Sequence, residues 1–411
     1  MSKWVICSGT DWYRPSYSST KQIMDEFYRE GYSVLYVNPI PFKSAGENSI
    51  NRKSAVKKIL NKFKTHLNVF RKINNRFFVF VPLYFPAFNP RVEKFNERFI
   101  KFQISLLRTL LGINKDETVL WISGSFTLMG ELKNNYYKKV YEAADLISDF
   151  RTNNINLKDK LRVKETELSN KSDIIFACTD MIASKLTAFT DKQINMLYHG
   201  VDFDHFNKRQ KIANKILDIK KRGLPVAGYF GSLSDTANDL RMFEILAKNN
   251  FSVVLIGKPL GDFSELNKLE NIHLLGPINY NILPSYGHGF DLCFMSWRQH
   301  EWLNNCYPIK TLEYLAMGKP IVSVPIPVIE KLFGSLIYTA STPEEFLHQA
   351  QRALSEDSEE LRLKRINAVR NYDWSGRFDI IKSKLNGDNS YMEEKYLNEN
   401  MEFEISDMKS K

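Results

Sequence analysis

Lys310 and Glu313 are the pair in this chain whose types and spacing best suit chemistry. They belong to Cys306-Tyr-Pro-Ile-Lys-Thr-Leu-Glu-Tyr-Leu-Ala-Met-Gly-Lys-Pro-Ile-Val-Ser-Val-Pro325. Pro308 can open a helix, because a missing N–H and a fixed φ suit the first turn. Leu312, Leu315 and Ala316 fall on one helical face, and Gly318 supplies a left-handed close. Ile321 to Val324 then reads as a buried strand. Lys310 and Glu313 lie three apart near the helix start, so both point at whatever sits over its N-terminus. A helix N-terminus with a cation beside it favours a phosphate, and a carboxylate one turn on suits a diol such as a ribose. The same residues also fit a capped surface helix with an i,i+3 ion pair.

The elements that must position this helix come from two similar halves. Lys3 to Cys7 reads as a strand ending at Ser8-Gly9-Thr10-Asp11. The serines within 16–19 (Ser16, Ser18 and Ser19) can cap a helix to Glu30, closed by Gly31, and Ser33 to Val37 is a second strand. Open parallel sheets bind ligands beyond the carboxyl ends of their strands, which makes Ser8, Gly9 and Asp11 cleft candidates; a plain strand–helix turn fits them equally. Strands follow at 119–123, 139–143, 173–178 and 195–198, the last running into His199-Gly-Val-Asp202. Residues 207–223 are polar and lysine-rich. A second set of strands opens at Pro225 to Phe230, before the turn Gly231-Ser232, whose backbone N–H groups can face a phosphate. Strands at 252–256, 272–275 and 291–295 and helices at 343–355 and 359–371 complete it. The expected fold class is α/β, with two Rossmann-like domains facing each other across a cleft. The boundaries are 1–205, a linker at 206–221, 222–375, and a last helix with an acidic tail over 376–411.

Composition narrows the classes. At 411 residues, with 43% hydrophobic and 25% charged, the chain has room for two cores. Its apolar runs stay below the 18 or so residues of a membrane span, and the N-terminus lacks a signal peptide's apolar core. Cys7, Cys178, Cys293 and Cys306 are scattered without metal-site spacing, as for reduced cytoplasmic thiols. The net charge of +10 is concentrated, with nine Lys or Arg and no acid between Arg52 and Arg76. Val56, Ile59, Leu60, Phe63, Leu67 and Phe70 recur among them at helical spacing. That predicts a basic amphipathic helix within 50–76, suited to the inner face of an anionic membrane or to packing on its own domain. Nucleic acid is not expected, since no binding module accompanies the patch. Val92 to Leu111 adds a second amphipathic stretch, with Phe95, Phe99, Phe102, Leu106, Leu107 and Leu110.

Pro-x-Lys-x-x-Glu-Tyr-Leu-Ala-x-Gly-Lys-Pro-Ile-Val resembles the donor-nucleotide helix of GT-B glycosyltransferases, bacterial polysaccharide enzymes above all. The resemblance implies that Pro308, Ile309 and Lys310 meet the diphosphate of a nucleotide-sugar, a UDP-sugar by expectation, and that Glu313 meets its ribose. Gly231 and Ser232 would add to the phosphate site, and Gly276 in Leu275-Gly276-Pro277 would present backbone groups to the nucleobase. The retaining branch of the fold carries Glu-x7-Glu, and here Asn305 replaces the first glutamate. Tyr141-x-Ala-x-Asp145, a glutamate in the following helix, His199-Gly-Val-Asp202 and the Lys310 helix look more like two other groups. These are the inverting glucuronosyltransferase of xanthan assembly and the teichuronic-acid glycosyltransferases. By that resemblance Asp145 is the general base, with Asp149 behind it, and the acceptor is a lipid-linked or oligosaccharide one. No metal is expected if Lys310, the Gly231 turn and the helix dipole carry the phosphate charge. Asp202-Phe203-Asp204 spells the metal motif of the other main glycosyltransferase fold, but lies in the hinge phrase. Asp145 also suits a helix N-cap, and Arg298 and His300 suit either a uronate carboxylate or plain loop charges. A nucleotide-sugar 2-epimerase and a catalytically silent GT-B partner are the rival classes; an acceptor requirement separates the first.

Overall fold

The computed structural model describes residues 3–13, 18–40, 69–85, 90–149 and 155–388. The first half builds one sheet from β1 (Trp4–Ser8), β2 (Ser33–Val37), β3 (Phe70–Asn74), β4 (Phe77–Phe80), β5 (Thr118–Ser123), β6 (Lys138–Ala143), β7 (Ile174–Ala177) and β8 (Ile194–Met196). Its helices are α1 (Ser19–Arg29), α2 (Pro90–Leu111), α3 (Ile155–Lys171) and α4 (Asp180–Leu186). The strand order is β3-β4-β2-β1-β5-β6-β7-β8, parallel throughout except for the β3–β4 hairpin. Helices pack on both faces, which is why β1, β2 and β5 are continuous buried runs rather than alternating ones.

After α5 (Phe203–Asn207) and α6 (Asn214–Lys220) a second sheet forms. Its elements, in order, are β9 (Val226–Phe230), β10 (Leu233–Ser234), α7 (Leu240–Lys248), β11 (Ser252–Ile256), β12 (Pro259–Leu260), β13 (Ile272–Gly276), α8 (Leu283–Gly287) and β14 (Leu292–Met295). Then come α9 (Ile309–Ala316), β15 (Ile321–Ser323), α10 (Pro327–Phe333), β16 (Tyr338–Thr339), α11 (Pro343–Ser355), α12 (Glu359–Val369) and α13 (Trp374–Leu385). The six-stranded order is β13-β11-β9-β14-β15-β16, all parallel, while β10 and β12 pair apart from it. The stretch read as a polar linker contains α6, whose Ile216 and Ile219 are buried; two isoleucines three apart suffice to seat one helical turn.

α13 returns to the first half and lies on α1, with Phe27 and Phe378 edge-to-face at 4.7 Å. Phe378, Ile381 and Leu385 share a core with Val5, Ile23 and Phe27.

One expectation is corrected. The helix expected within 50–76 does not extend over its last turns, because residues 70–74 form β3, antiparallel to β4. Phe77-Phe-Val-Phe80 is a β-former run, and β-branched and aromatic residues favour a pleated surface over a helix. Asn75 and Arg76 make the turn of the hairpin, and Asn tolerates turn conformations. The remainder, 50–68, lies outside the described residues, as do Ser16 and the tail beyond 388. Of the serines read as caps, Ser18 takes the N-cap of α1 and accepts from Lys21 N–H. Among the described residues no helix is long and apolar enough to cross a membrane, and all four cysteines are free and buried.

Candidate active site

In the second sheet the strand order reverses between β9 and β14, and a crevice opens beyond the carboxyl ends of strands at such a reversal. Gly231 follows β9, Trp297 lies just past β14, and both reach Lys310. The Lys310 Nζ stands 4.6 Å from the Tyr229 ring centre and 5.0 Å from that of Trp297. It donates to the Tyr229 hydroxyl at 3.0 Å, and that hydroxyl donates to the Ser232 carbonyl at 2.9 Å. A Cβ on Gly231 would fall 2.3 Å from the same Nζ. Among the described residues no carboxylate forms an ion pair with Lys310, so the simple i,i+3 pair with Glu313 is not made.

Pro308 occupies the N-cap position of α9, with no side chain capping the first turn, and Ile309 is the first helical residue. The Tyr314 hydroxyl on the buried side of α9 accepts from the Phe230 N–H at 3.1 Å and ties the helix to the end of β9. Glu313 is half-buried, and its carboxyl is pushed up to about 7; burial is the main cause, with Lys310 pulling back and Asp202 pushing further. Ser232 is exposed beside this group. Gly276 ends β13, and its carbonyl accepts from Gly257 N–H at 3.0 Å. These residues therefore converge on one end of the second sheet.

Asp145 is exposed just past β6. Burial pushes the thiols of Cys178 and Cys306 up and the Asp145 charge adds to both, while Lys310 pulls Cys306 back down. Cys306 thus lies within electrostatic reach of both Asp145 and Lys310. The backbone of 147–149, a single tight turn, is held by Glu165 of α3. That fully buried carboxylate accepts from Ile147 N–H and Ser148 N–H, each at 3.0 Å, and from the Tyr141 hydroxyl at 2.5 Å. On the opposite face of β6, buried Glu142 accepts from Trp121 Nε1 at 2.8 Å and from Ser19 Oγ at 3.0 Å. Two carboxylates from opposite faces of the sheet thus fix the strand end that carries Asp145.

The other first-half candidates stand at the end of β1. Ser8 is fully buried and donates to Ser125 Oγ at 3.2 Å. Gly9 lies against Thr20 and Tyr36. Asp11 accepts from Asn38 Nδ2 at 2.9 Å and from Tyr13 N–H at 3.1 Å. Ser8 Oγ and one carboxylate oxygen of Asp11 are engaged in these bonds.

The halves meet around the site. Thr179 donates to the Asn305 carbonyl at 3.4 Å, and Lys331 of α10 pairs with Asp180 at 2.6 Å. Gln22 of α1 donates to the Tyr280 hydroxyl at 3.3 Å. His199 stacks on Tyr307 with ring centres 5.3 Å apart, and burial pushes its imidazole down to about 4, so it is neutral at pH 7. Gly200 gives the hinge phrase its closeness: a Cβ there would sit 2.8 Å from the Trp374 ring. Asp202 accepts from His205 N–H at 3.3 Å as the N-cap of α5. Arg298 donates from Nε to the Asp235 carbonyl at 3.3 Å, and the His300 carbonyl accepts from Leu303 N–H at 2.8 Å. Among the described residues no three His, Cys, Asp or Glu side chains cluster as a metal site.

Sequence reasoning missed Tyr229 and Trp297 as the supports of Lys310. It noted a glutamate in the helix after Asp145, which is Glu165, without its role, and passed over Glu142. The signal for Glu142 was an acid inside a β-run, which folds only if its oxygens find donors.

Comparison with known proteins adds four matches. Residues 224–356 match the family model "Glycosyl transferases group 1". The chain is 24% identical over 311 residues to the "Putative teichuronic acid biosynthesis glycosyltransferase TuaH" of Bacillus subtilis (strain 168), covering 70% of this chain and 77% of that one. Among solved structures it superposes on sucrose-phosphate synthase from Thermosynechococcus elongatus with a TM-score of 0.66 at 10% identity, over 94% of this chain and 99% of the other. It superposes on Anabaena HepE, solved in complex with UDP and glucose, with a TM-score of 0.62 at 14% identity, over 93% and 99% of the two chains. The fold is GT-B.

Proposed function

We propose that this GT-B glycosyltransferase, with its group 1 domain over residues 224–356, moves a sugar from a UDP-sugar to a saccharide or lipid-linked acceptor in cell-surface polysaccharide synthesis. The observation that carries the reading is the state of Lys310. Its ammonium rests on two aromatic faces and a hydroxyl beside the uncapped start of α9, where an anion would meet it together with the open N–H groups. Glu313, one turn on, is the acceptor for a ribose diol. Gly231, Ser232, Pro308 and Ile309 surround the diphosphate, and Gly276 borders the base. The teichuronic-acid name of the Bacillus relative and the UDP in the HepE structure favour the same chemistry.

In the step itself an acceptor hydroxyl attacks the anomeric carbon as the bond to the diphosphate breaks. Asp145 takes the hydroxyl proton, and the sugar passes through an oxocarbenium-like state. Lys310 and the N–H groups of α9 receive the charge that develops on the leaving UDP, with no metal required. A single displacement inverts the anomeric configuration. NMR of the product tests it: an inverted anomer agrees, and a retained one removes Asp145 as base. Turnover of the UDP-sugar without any acceptor would favour a 2-epimerase instead.

The acceptor's lipid implies work at the cytoplasmic face of a membrane, attached there through the basic residues of 50–76. Replacing Lys57, Lys58, Lys62 and Lys64 by Gln should release the protein from anionic vesicles and leave UDP binding intact, each charge being worth about 1 kcal/mol and screened by salt.

A further inference from the structure

We infer that the outward face of α2 is a docking surface for an anionic lipid bilayer. The inference deepens the membrane attachment proposed above and rests on it for the occupant, but assigns the contact to different residues.

α2 turns a large part of its apolar surface away from the protein. Ile100 and Ile104 are buried and seat the helix, while Phe102 is 63% exposed and Leu110 71% exposed. Phe95 and Leu106, both exposed, align with them at helical spacing, so the stripe from Phe95 to Leu110 runs roughly 22 Å at 1.5 Å per residue. Phe85 widens it, edge-to-face on Phe95 at 5.5 Å. A patch of this kind on a surface helix marks an interaction site.

The charges identify the partner. Both acids of α2 turn inward: Glu93 pairs with Lys160 of α3, and Glu97 packs against Gly130. Arg91, Lys94 and Arg98 are exposed, Arg91 and Arg98 standing four before and three after Phe95 on the same side. The outward half of this turn is therefore apolar and cationic without an anion of its own, as in helices that lie in an anionic interface. A second copy of the chain would set these cations against one another. The segment 41–68, which leaves at Ile40 and resumes at Val69, is no better cover, since 52–64 holds six Lys or Arg and no acid. An anionic bilayer answers both the stripe and the charge; the acidic stretch 393–407 is the rival cover within the chain, and the lipid-free label tests it.

The test is cosedimentation of the full chain with phosphatidylglycerol–phosphatidylcholine vesicles. Phe95→Ser, Phe102→Ser and Leu106→Ser combined should lower partitioning on the order of 100-fold, with UDP binding unchanged. Arg91→Gln, Lys94→Gln and Arg98→Gln combined should lower it by roughly fivefold per charge on anionic vesicles, and not on neutral ones. A bimane label on Phe102→Cys should shift to the blue only when vesicles are added. Serine variants that sediment like the parent overturn the inference; if the lysine variants of 57–64 are released instead, the broader membrane reading survives. A parent that ignores anionic vesicles ends both. A parent dimer broken by the serine variants assigns the face to a second copy, and a label already blue without lipid assigns it to the chain itself; either result overturns the lipid assignment.

Discussion

Gly231 and Lys310 are fitted to one another: a Cβ on the glycine would stand 2.3 Å from the lysine Nζ, and the glycine itself holds φ at +144°. The first prediction follows from that pair. Gly231→Ala should displace the ammonium from the Tyr229 and Trp297 faces and strain the backbone by roughly 1–3 kcal/mol. UDP affinity should fall on the order of tenfold or more. Calorimetry measures the affinity, and the Tm should drop modestly because the far end of a lysine can move aside.

Glu313 makes the site sensitive to pH. Its carboxyl, pushed up to about 7, is partly protonated in the free protein near neutrality. A ribose diol is best accepted by the ionised form, so UDP affinity should rise with pH between about 6 and 8. Glu313→Gln should flatten that rise.

The same shift predicts a stability change of definite sign. The folded value lies above the ordinary glutamate value of 4.5, so the native state holds more protons between the two. The associated stability is full below about 4.5 and lost as pH rises through about 7. Glu313→Gln should therefore raise the Tm more at pH 8 than at pH 4, read by thermal denaturation. A larger gain at pH 4 would reverse the sign.

Glu165 is a positioning residue for the Asp145 loop. Glu165→Gln would set an amide N–H₂ against one of its present donors, the backbone N–H groups at 3.0 Å or the Tyr141 hydroxyl. Losing one charge-assisted buried hydrogen bond costs about 1.5–3 kcal/mol. Stability and kcat should both fall while the KM for donor is unchanged, since α9 belongs to the other sheet. Tyr141→Phe should show the same kinetic pattern more weakly.

Much of the second sheet could be read from the chain because its signals are local. Gly318 closes α9, Ile321 to Ser323 is a β-branched strand start, and Lys310 and Glu313 are one turn apart. The β3–β4 hairpin was missed because Phe70 also fits a helical period, and only the Phe77–Phe80 run opposite it decides the register. Tyr229, Trp297 and Glu142 act through residues 81, 13 and 21 positions away, so no spacing rule exposes them. The resemblance supplied Asp145; the sheet shows what holds it, in Glu142 beneath one face and Glu165 beneath the other.

Asp145→Asn keeps the size of the side chain and removes its ability to accept a proton, which tests the proposed base. Transfer should slow about 10²- to 10⁴-fold, the usual worth of a positioned base. Asp149→Asn should do much less. Full activity in Asp145→Asn with an inverted product would move the base elsewhere.

The most direct measurement is calorimetric titration of UDP into the parent, Lys310→Ala and Asp145→Asn. The parent should bind. Lys310→Ala should lose roughly 1.5–3 kcal/mol, on the order of 10- to 100-fold in affinity, as a charge-assisted contact to the diphosphate disappears. Asp145→Asn should bind like the parent, because Asp145 follows β6 of the first sheet and α9 belongs to the second half. A parent that does not bind UDP, or a Lys310→Ala protein that binds it as tightly, would contradict the assignment of α9 as the donor site.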